Sequence, residues 1–309
     1  MARRITLLFI TKDFTHRTER STYYLIQALK KHAELLVWHE HGDIQSILRQ
    51  CPKTPDFILL NDFKPDYSPF IRNLKSASVP YGIIMHDLKY KMKHRKAFIE
   101  KESVRHIFSI YRDPFKKWFP EFLSRMVWLP HHVPINIFKP YNEEKDIDIL
   151  MSGALFEHIY PLRHHFYTHY KDDPRFCYIP HPGYRDVDEQ EAYYVGENYA
   201  RLLSRAKLFL TCDSVEHFPV LKYYEAAAAG TCLLAPLNAE LRDLGFQADE
   251  NCVDISAVNF EEKVEEYLED EEKRKQIIQR AVHFIRENHS TEVRAKQLIG
   301  HIVKILQSY

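Results

Sequence analysis

Short apolar runs recur through the first 130 residues: Ile5–Ile10, Leu35–Trp38, Phe57–Leu60, Tyr81–Met85, His106–Ile110 and Met126–Leu129. Each has the length and the Ile, Leu, Val and Phe content of a strand buried on both faces. Stretches with helical spacing lie between several of them. The clearest is Arg20 to His32, where Tyr23, Ile26 and Leu29, with Tyr24 and Leu25, make one apolar face. Strands alternating with helices predict a parallel sheet covered on both sides. The alternation breaks at LPHHVPINIFKP, where Pro130, Pro134 and Pro140 exclude both a helix and a central strand. It then restarts: strand Ile147–Met151, helix Pro161–Tyr170, strand Arg175–Ile179, helix Val195–Ala206, strand Leu208–Thr211, helix Pro219–Ala229 and strand Thr231–Ala235. From Phe260 the pattern is charge-laced helix, ending in an amphipathic stretch from Glu292 to Gln307. The expected fold is α/β, with two Rossmann-like, doubly wound parallel-sheet domains facing a cleft. They cover residues 1–130 and 141–285, joined by a Pro-rich linker over 131–140 and followed by a C-terminal helix over 286–309.

Composition narrows the function classes. With 309 residues, 45% hydrophobic and 13% aromatic, there is material for two cores, which excludes disordered and fibrous chains. The 43 Lys+Arg balance 43 Asp+Glu, so no net charge draws the chain to nucleic acid, which is not expected as a partner. Five cysteines, an odd number with no two-residue spacing, argue against a disulfide framework and a zinc knuckle and predict reduced, intracellular thiols. Ile5–Ile10 is shorter than a signal-peptide core and runs into Lys12 and Asp13, so it reads as a first strand of a cytoplasmic protein. No stretch reaches the roughly 18 apolar residues of a membrane span. Oligomeric state is left open.

Several patterns are discounted. His165 and His169 at i, i+4, and the pair His131-His132, are set among 18 histidines and lack a completing carboxylate or cysteine, so no metal site is expected. Asp146-x-Asp148 and Asp186-x-Asp188 have the form used by metal-dependent transferases of another fold, but the first stands at the entrance of a strand. There is no G-x-G-x-x-G, P-loop or serine elbow.

Ligands of doubly wound sheets bind beyond the carboxyl ends of the strands. The densest signal there is the run from His217 to Pro236. A strand ends near Cys212, Pro219 reads as the first residue of a helix, and Gly230 as the glycine that closes it. The free N–H groups at such a start favour a phosphate, and Lys222 adds a cation. Glu225, a turn later, can accept from paired sugar hydroxyls, while Ala226–Ala229 let the helix pack closely. The plainer reading is a buried helix with an i, i+3 Lys–Glu pair. His86-Asp87 follows the strand Tyr81–Met85, and His86 reads either as a strand-end histidine satisfied by backbone or as a site residue. The loop TKDFTHRTER has no glycine for a close phosphate approach. Its Lys12, His16 and Arg17 read as solvated, with binding of a phosphate or anionic acceptor as the alternative.

The run KYYEAAAAGTCLLAP, Lys222 to Pro236, resembles the (R/K)-x-(F/Y)-E-A-x-A-x-G-x-x-L-x-(A/S) signature of GT-B glycosyltransferases. The similarity is to the family-4-like retaining type, in particular its spore-maturation CgeB-like branch. Other pieces follow in that branch's order: DIDILMSGALFEHIYPLR with Gly153 and Arg163, HPGY at His181–Tyr184, GENYARLLSRAKLFLTCD at Gly196–Asp213, and LGFQADENCV at Leu244–Val253. The resemblance covers most of residues 128–290 and is only architectural before that. It implies transfer of a sugar, with retention and without a metal or other cofactor, from a nucleoside-diphosphate sugar, a UDP-sugar, to an acceptor hydroxyl. It also implies a last helix returning to the first domain. Glu225 would hold the ribose hydroxyls, and Lys222 and Arg163 the diphosphate. Gly153 and Tyr223 would lie in the same donor site, and His181 and Tyr184 by the nucleobase. His86 and Asp87 resemble a pair whose histidine approaches the transferred sugar. Many such enzymes carry two glutamates eight positions apart; here His217 stands eight before Glu225 and Glu216 nine before, so both are candidates for the first role. That departure keeps a non-catalytic nucleotide-sugar-binding scaffold as an alternative, beside an epimerase or a phosphorylase on the same fold.

Overall fold

The computed structural model describes residues 4–187 and 195–309. The chain forms two units, one of residues 1–15, 22–130 and 292–309, the other of residues 16–21 and 131–291.

The first unit is built from β1 (Thr6–Ile10), α1 (Ser21–His32), β2 (Glu34–Trp38), β3 (Gly42–Asp43), α2 (Ile44–Gln50), β4 (Phe57–Asn61), β5 (Ile71–Arg72), β6 (Tyr81–Met85), α3 (Met92–Lys101), β7 (His106–Ser109), α4 (Arg112–Trp118) and β8 (Met126–Trp128). Six strands pair in parallel in the order β2-β1-β4-β6-β7-β8, and β3 and β5 make a separate parallel pair. Strands β1 and β4 are buried along their whole length, which is why they read as unbroken apolar runs. On one face Leu8, Ile10, Ile58, Ile83 and Ile107 pack with Ile44, Ile47, Ile99 and Phe115. On the other, Leu7, Phe9, Phe57 and Leu59 pack with Leu25 and Leu29 of α1 and with Ala295, Leu298 and Ile302 near the C-terminus.

The second unit contains β9 (Ile147–Ser152), α5 (Pro161–Tyr170), β10 (Phe176–Ile179), α6 (Gly196–Arg205), β11 (Ala206–Leu210), α7 (Lys222–Ala228), β12 (Cys232–Ala235), α8 (Ala239–Asp243), β13 (Val253–Asp254), α9 (Phe260–Glu269) and α10 (Glu271–Asn288). The last helix, α11 (Thr291–Leu306), falls almost wholly in the first unit. Five parallel strands run in the order β10-β9-β11-β12-β13. Both units therefore have Rossmann-like parallel sheets in which the first strand lies between the second and the third.

Two elements differ from the sequence pattern by more than one residue at a boundary. The helix expected from Pro219 begins at Lys222, and residues 213–221 form a loop that leaves Pro219 outside it. The strand expected at Leu208–Thr211 spans Ala206–Leu210. The closing glycine of α7 follows its expectation: Gly230 has φ +79, its N–H faces Ala227 O, and the Thr231 N–H donates to Ala226 O at 3.2 Å. A Cβ at Gly230 would stand 2.9 Å from the Pro140 ring, so the linker closes over this turn. None of the five cysteines is paired. Among the described residues no helix is long and apolar enough to cross a membrane.

Candidate functional site

In the second unit the strand order turns at β9 and β11, and the loops leaving their carboxyl ends define the place where a ligand is expected. Gly153 follows β9 with φ +122, a conformation that favours glycine. A Cβ there would lie 2.8 Å from Arg163 Nη1 and 3.1 Å from Lys222 Cε, so two cationic side chains converge on bare backbone. Gly153 is itself fixed, its N–H donating to Ile179 O (3.0 Å) and its carbonyl accepting from the Tyr178 hydroxyl (2.6 Å).

Arg163 projects from α5 and is buried. Its guanidinium lies 4.0 Å from the centre of the Tyr160 ring and donates to Ala154 O (3.1 Å) after β9 and to Cys212 O (3.2 Å) after β11. These carbonyls orient the charge without neutralising it, and among the described residues Arg163 Nε has no hydrogen-bond partner. Among the described residues no carboxylate is within ion-pair distance of Arg163 or Lys222. Lys222 opens α7 and is partly buried. Burial lowers its pKa; attraction to Glu225 opposes this and repulsion from Arg163 adds to it. Burial raises the pKa of Glu225, with Lys222 opposing and Glu19 adding.

His181 lies beyond β10, its Nδ1 accepting from the Gly183 N–H at 2.9 Å. Burial, then Lys222 and Arg163, hold its pKa down at about 4, so it is a neutral ring beside two cations. Tyr184 is exposed, with its ring centre 4.9 Å from that of His181. Tyr223 is fully buried; its hydroxyl donates to Pro236 O (2.9 Å) and braces the loop after β12. Gly153, Arg163, His181, Lys222 and Glu225 are thus brought together, Tyr184 stands at the margin and Tyr223 behind.

The loop before α7 explains the late helix start. His217 has φ 57, its N–H donates to Ser214 O, and its Nδ1 meets Asp213 Oδ2 at 2.9 Å with the ring 74% exposed. Asn238, which caps α8, donates from Nδ2 to Asp213 Oδ2 (3.1 Å) and to His217 O (2.9 Å). Glu216 is half-buried, and its N–H donates to Ser214 Oγ at 3.3 Å. Asp213 and Asn238 hold this loop through contacts far apart in sequence, and no local motif announces them.

Residues 16–21 also belong to the second unit. The Val187 N–H donates to His16 O (2.8 Å), the Thr18 N–H to Arg185 O (2.9 Å) and Thr18 Oγ1 to Gly183 O (2.8 Å). Arg17, expected to be solvated, is largely covered and faces Asp186 at 3.6 Å. Glu19 accepts from the Ser21 N–H (2.6 Å), and its burial raises its pKa. It is a second carboxylate near Glu225 that the sequence pattern did not single out. Asp188 lies outside the described residues. Asp146 pairs with Arg205 and Asp148 with Lys207, His165 packs on Phe260, and His169 faces Glu261. Among the described residues no three His, Cys, Asp or Glu side chains gather as a metal site.

His86 and Asp87 are in the first unit, at the end of β6. The His86 ring is held by a side chain rather than by backbone: Nε2 meets Asn61 Oδ1 at 2.8 Å, and the ring stacks on Tyr67 with centres 4.4 Å apart. Its N–H donates to Asp62 Oδ2 (2.7 Å), and Asp62 forms a 2.7 Å ion pair with Arg95, both side chains 0% exposed. Arg95 also donates to Asp87 O (2.7 Å), while the Asp87 carboxylate lies 3.6 Å from Lys64.

A family model described as "Glycosyl transferase-like" matches residues 137–300. No curated protein matches the sequence. The chain is similar in structure to a glycosyltransferase from Rickettsia africae, with TM-score 0.65, 11% identity and 99% of this chain and 100% of that one covered. It is also similar to the sucrose-phosphate synthase of Thermosynechococcus elongatus, with TM-score 0.66, 11% identity, and 99% and 100% covered. For HepE of Anabaena, in complex with UDP-glucose, the values are 0.60, 12%, and 99% and 100%. At these identities the likeness establishes the fold, the two-domain GT-B type.

Proposed function

Because the chain belongs to the glycosyl transferase-like family, we propose that it moves a sugar from a nucleoside-diphosphate sugar to an acceptor hydroxyl, in the manner of the CgeB-like, family-4-like retaining branch. One observation carries this reading: Arg163 and Lys222 converge over Gly153 at the turn of the strand order, and among the described residues no carboxylate forms an ion pair with either, Glu225 acting on Lys222 only from beyond that distance. Such a place is completed by a diphosphate.

The two cations stabilise the negative charge that grows on the leaving diphosphate, as a divalent metal does elsewhere, and the reaction is assigned as metal-independent. Retention follows from attack on the face the diphosphate leaves. Orientation supplies the rest of the rate, with no protein nucleophile. Glu225 takes the ribose hydroxyls, and His181 with Tyr184 flanks the base, for which uracil is favoured by the UDP-glucose bound to HepE. Tyr223 acts from behind through Pro236. His86 is assigned to a sugar hydroxyl. The scaffold reading draws on His217, which is tied to Asp213 where a first glutamate is usual; it predicts donor binding without transfer.

The test is calorimetric titration with UDP, GDP, ADP and inorganic phosphate in metal-free buffer, on the native protein and on Glu225→Ala. Selective binding of one nucleoside diphosphate, weakened in the variant, is the expected result. Failure of all four to bind would remove the donor site. Binding without turnover over a panel of sugars and acceptors would favour the scaffold.

A further inference from the structure

The hydrogen-bond network around His86 determines which ring nitrogen carries its proton. Thr11 Oγ1 has carbonyl acceptors in Lys12 O (3.1 Å) and Tyr67 O (3.2 Å), so toward Asn61 it accepts. The Asn61 group 2.9 Å from it is therefore the NH2, which also reaches Thr22 Oγ1 at 3.0 Å. Asn61 Oδ1 is left to face His86 Nε2 at 2.8 Å, and a carbonyl oxygen only accepts. Nε2 is then protonated, and in a neutral ring Nδ1 keeps its lone pair. Among the described residues no group meets Nδ1.

The ring is neutral for a structural reason. The groups around it are Asp62 after β4, Lys64 beyond it, Asp87 beside it and Arg95 on α3, with Tyr67 stacked on its face. Burial dominates and lowers the imidazole pKa to about 4. Asp62, which accepts from backbone N–H groups at His86 and Lys64, acts to raise it, and its ion-pair partner Arg95 opposes Asp62. Asp62 holds this bridge in a left-handed conformation, φ 72, unusual for a side chain with a Cβ.

We infer that Asn61 and Asp62 are positioning residues that lock His86 as the Nε2–H tautomer, so that Nδ1 accepts a hydrogen bond from a substrate hydroxyl. The inference rests on the glycosyl-transfer reading for what that hydroxyl belongs to. A bare lone pair repels a phosphate, so this site selects a neutral hydroxyl-bearing ligand.

Long-range proton–nitrogen NMR of the histidine rings, with His86 assigned by its loss in His86→Gln, tests the lock directly. The native spectrum should show the Nε2–H tautomer and no titration of His86 down to about pH 5. Asn61→Asp puts a carboxylate against Nε2 and favours the imidazolium. His86 should then titrate near neutrality, and kcat/KM should fall roughly tenfold between about pH 8.5 and about pH 6 while the native enzyme changes little. A native His86 that titrates near its ordinary value, or carries its proton on Nδ1, overturns the inference. So does an Asn61→Asp variant with native titration and native pH profile. If no donor supports turnover, the native spectrum still decides the lock, and the glycosyl-transfer reading fails separately.

Discussion

Each unit buries an arginine beneath the loops at the carboxyl ends of its strands, and the two are treated oppositely. Arg95 in the first unit is matched by Asp62 at 2.7 Å, with neither side chain exposed. Arg163 in the second is held by two carbonyls and has another cation, Lys222, close by. A buried ion pair gives little net stability against apolar packing but is costly to break, so Arg95 and Asp62 act mainly to hold geometry. A buried cation held only by dipoles keeps its field for something else. The same architecture thus yields a neutral end that orients His86 and an electropositive end suited to an anion.

Four perturbations break or sharpen this contrast. Asp62→Asn leaves Arg95 buried without a counter-charge and should cost about 3–5 kcal/mol, read by denaturant unfolding. A loss below about 1 kcal/mol would put Arg95 in the same class as Arg163. Arg163→Lys keeps the charge but loses the fork that spans Ala154 and Cys212. Turnover with the preferred donor should fall about a hundredfold with nucleoside affinity nearly unchanged, and Lys222→Ala should act in the same direction. Glu225→Ala should weaken nucleotide binding roughly tenfold and affect the bound-state rate less, as titration and saturation kinetics would reveal.

The smallest effect concerns pH. On the proposed reading the protonated form of Lys222 binds the diphosphate, and burial lowers its pKa, so affinity should decline several-fold as pH rises through that lowered value. A lysine near the ordinary pKa of about 10.4 would hold affinity constant to about pH 9.5. Lys222→Arg should flatten the curve, and a native curve already flat to about pH 9.5, with affinity unchanged in Lys222→Ala, would show that Lys222 is not a diphosphate partner.

Much of the fold is legible because it rests on continuous burial. The strand Tyr81–Met85 is recovered to the residue from an apolar run, and the helix expected around Pro161–Tyr170 spans those residues. Helix α3 escapes the pattern because its buried side chains are Ile99 and the charged Arg95, and an arginine in a core position looks like surface. The start of α7 is misread for a related reason. Pro219 looks like an opening residue, but the chain ahead of Lys222 is set by Asp213, His217 and Asn238. Within the site, Gly153, Arg163, Lys222 and Glu225 are found through a local signature. Asn61, Asp62 and Glu19 are not, since each gains its meaning from a partner that folding alone brings near.

The placement of α11 bears on the order in which the protein is completed during synthesis. One face of the first sheet is covered by α1 together with Ala295, Leu298 and Ile302, so Leu7, Phe9 and Leu59 await residues that follow the whole second unit in the sequence. The second unit, by contrast, has all of its residues once position 291 has been translated. The unit whose sheet is made before the other is therefore completed after it, and until α11 follows, the part of its apolar sheet face that α1 does not cover lacks its partner.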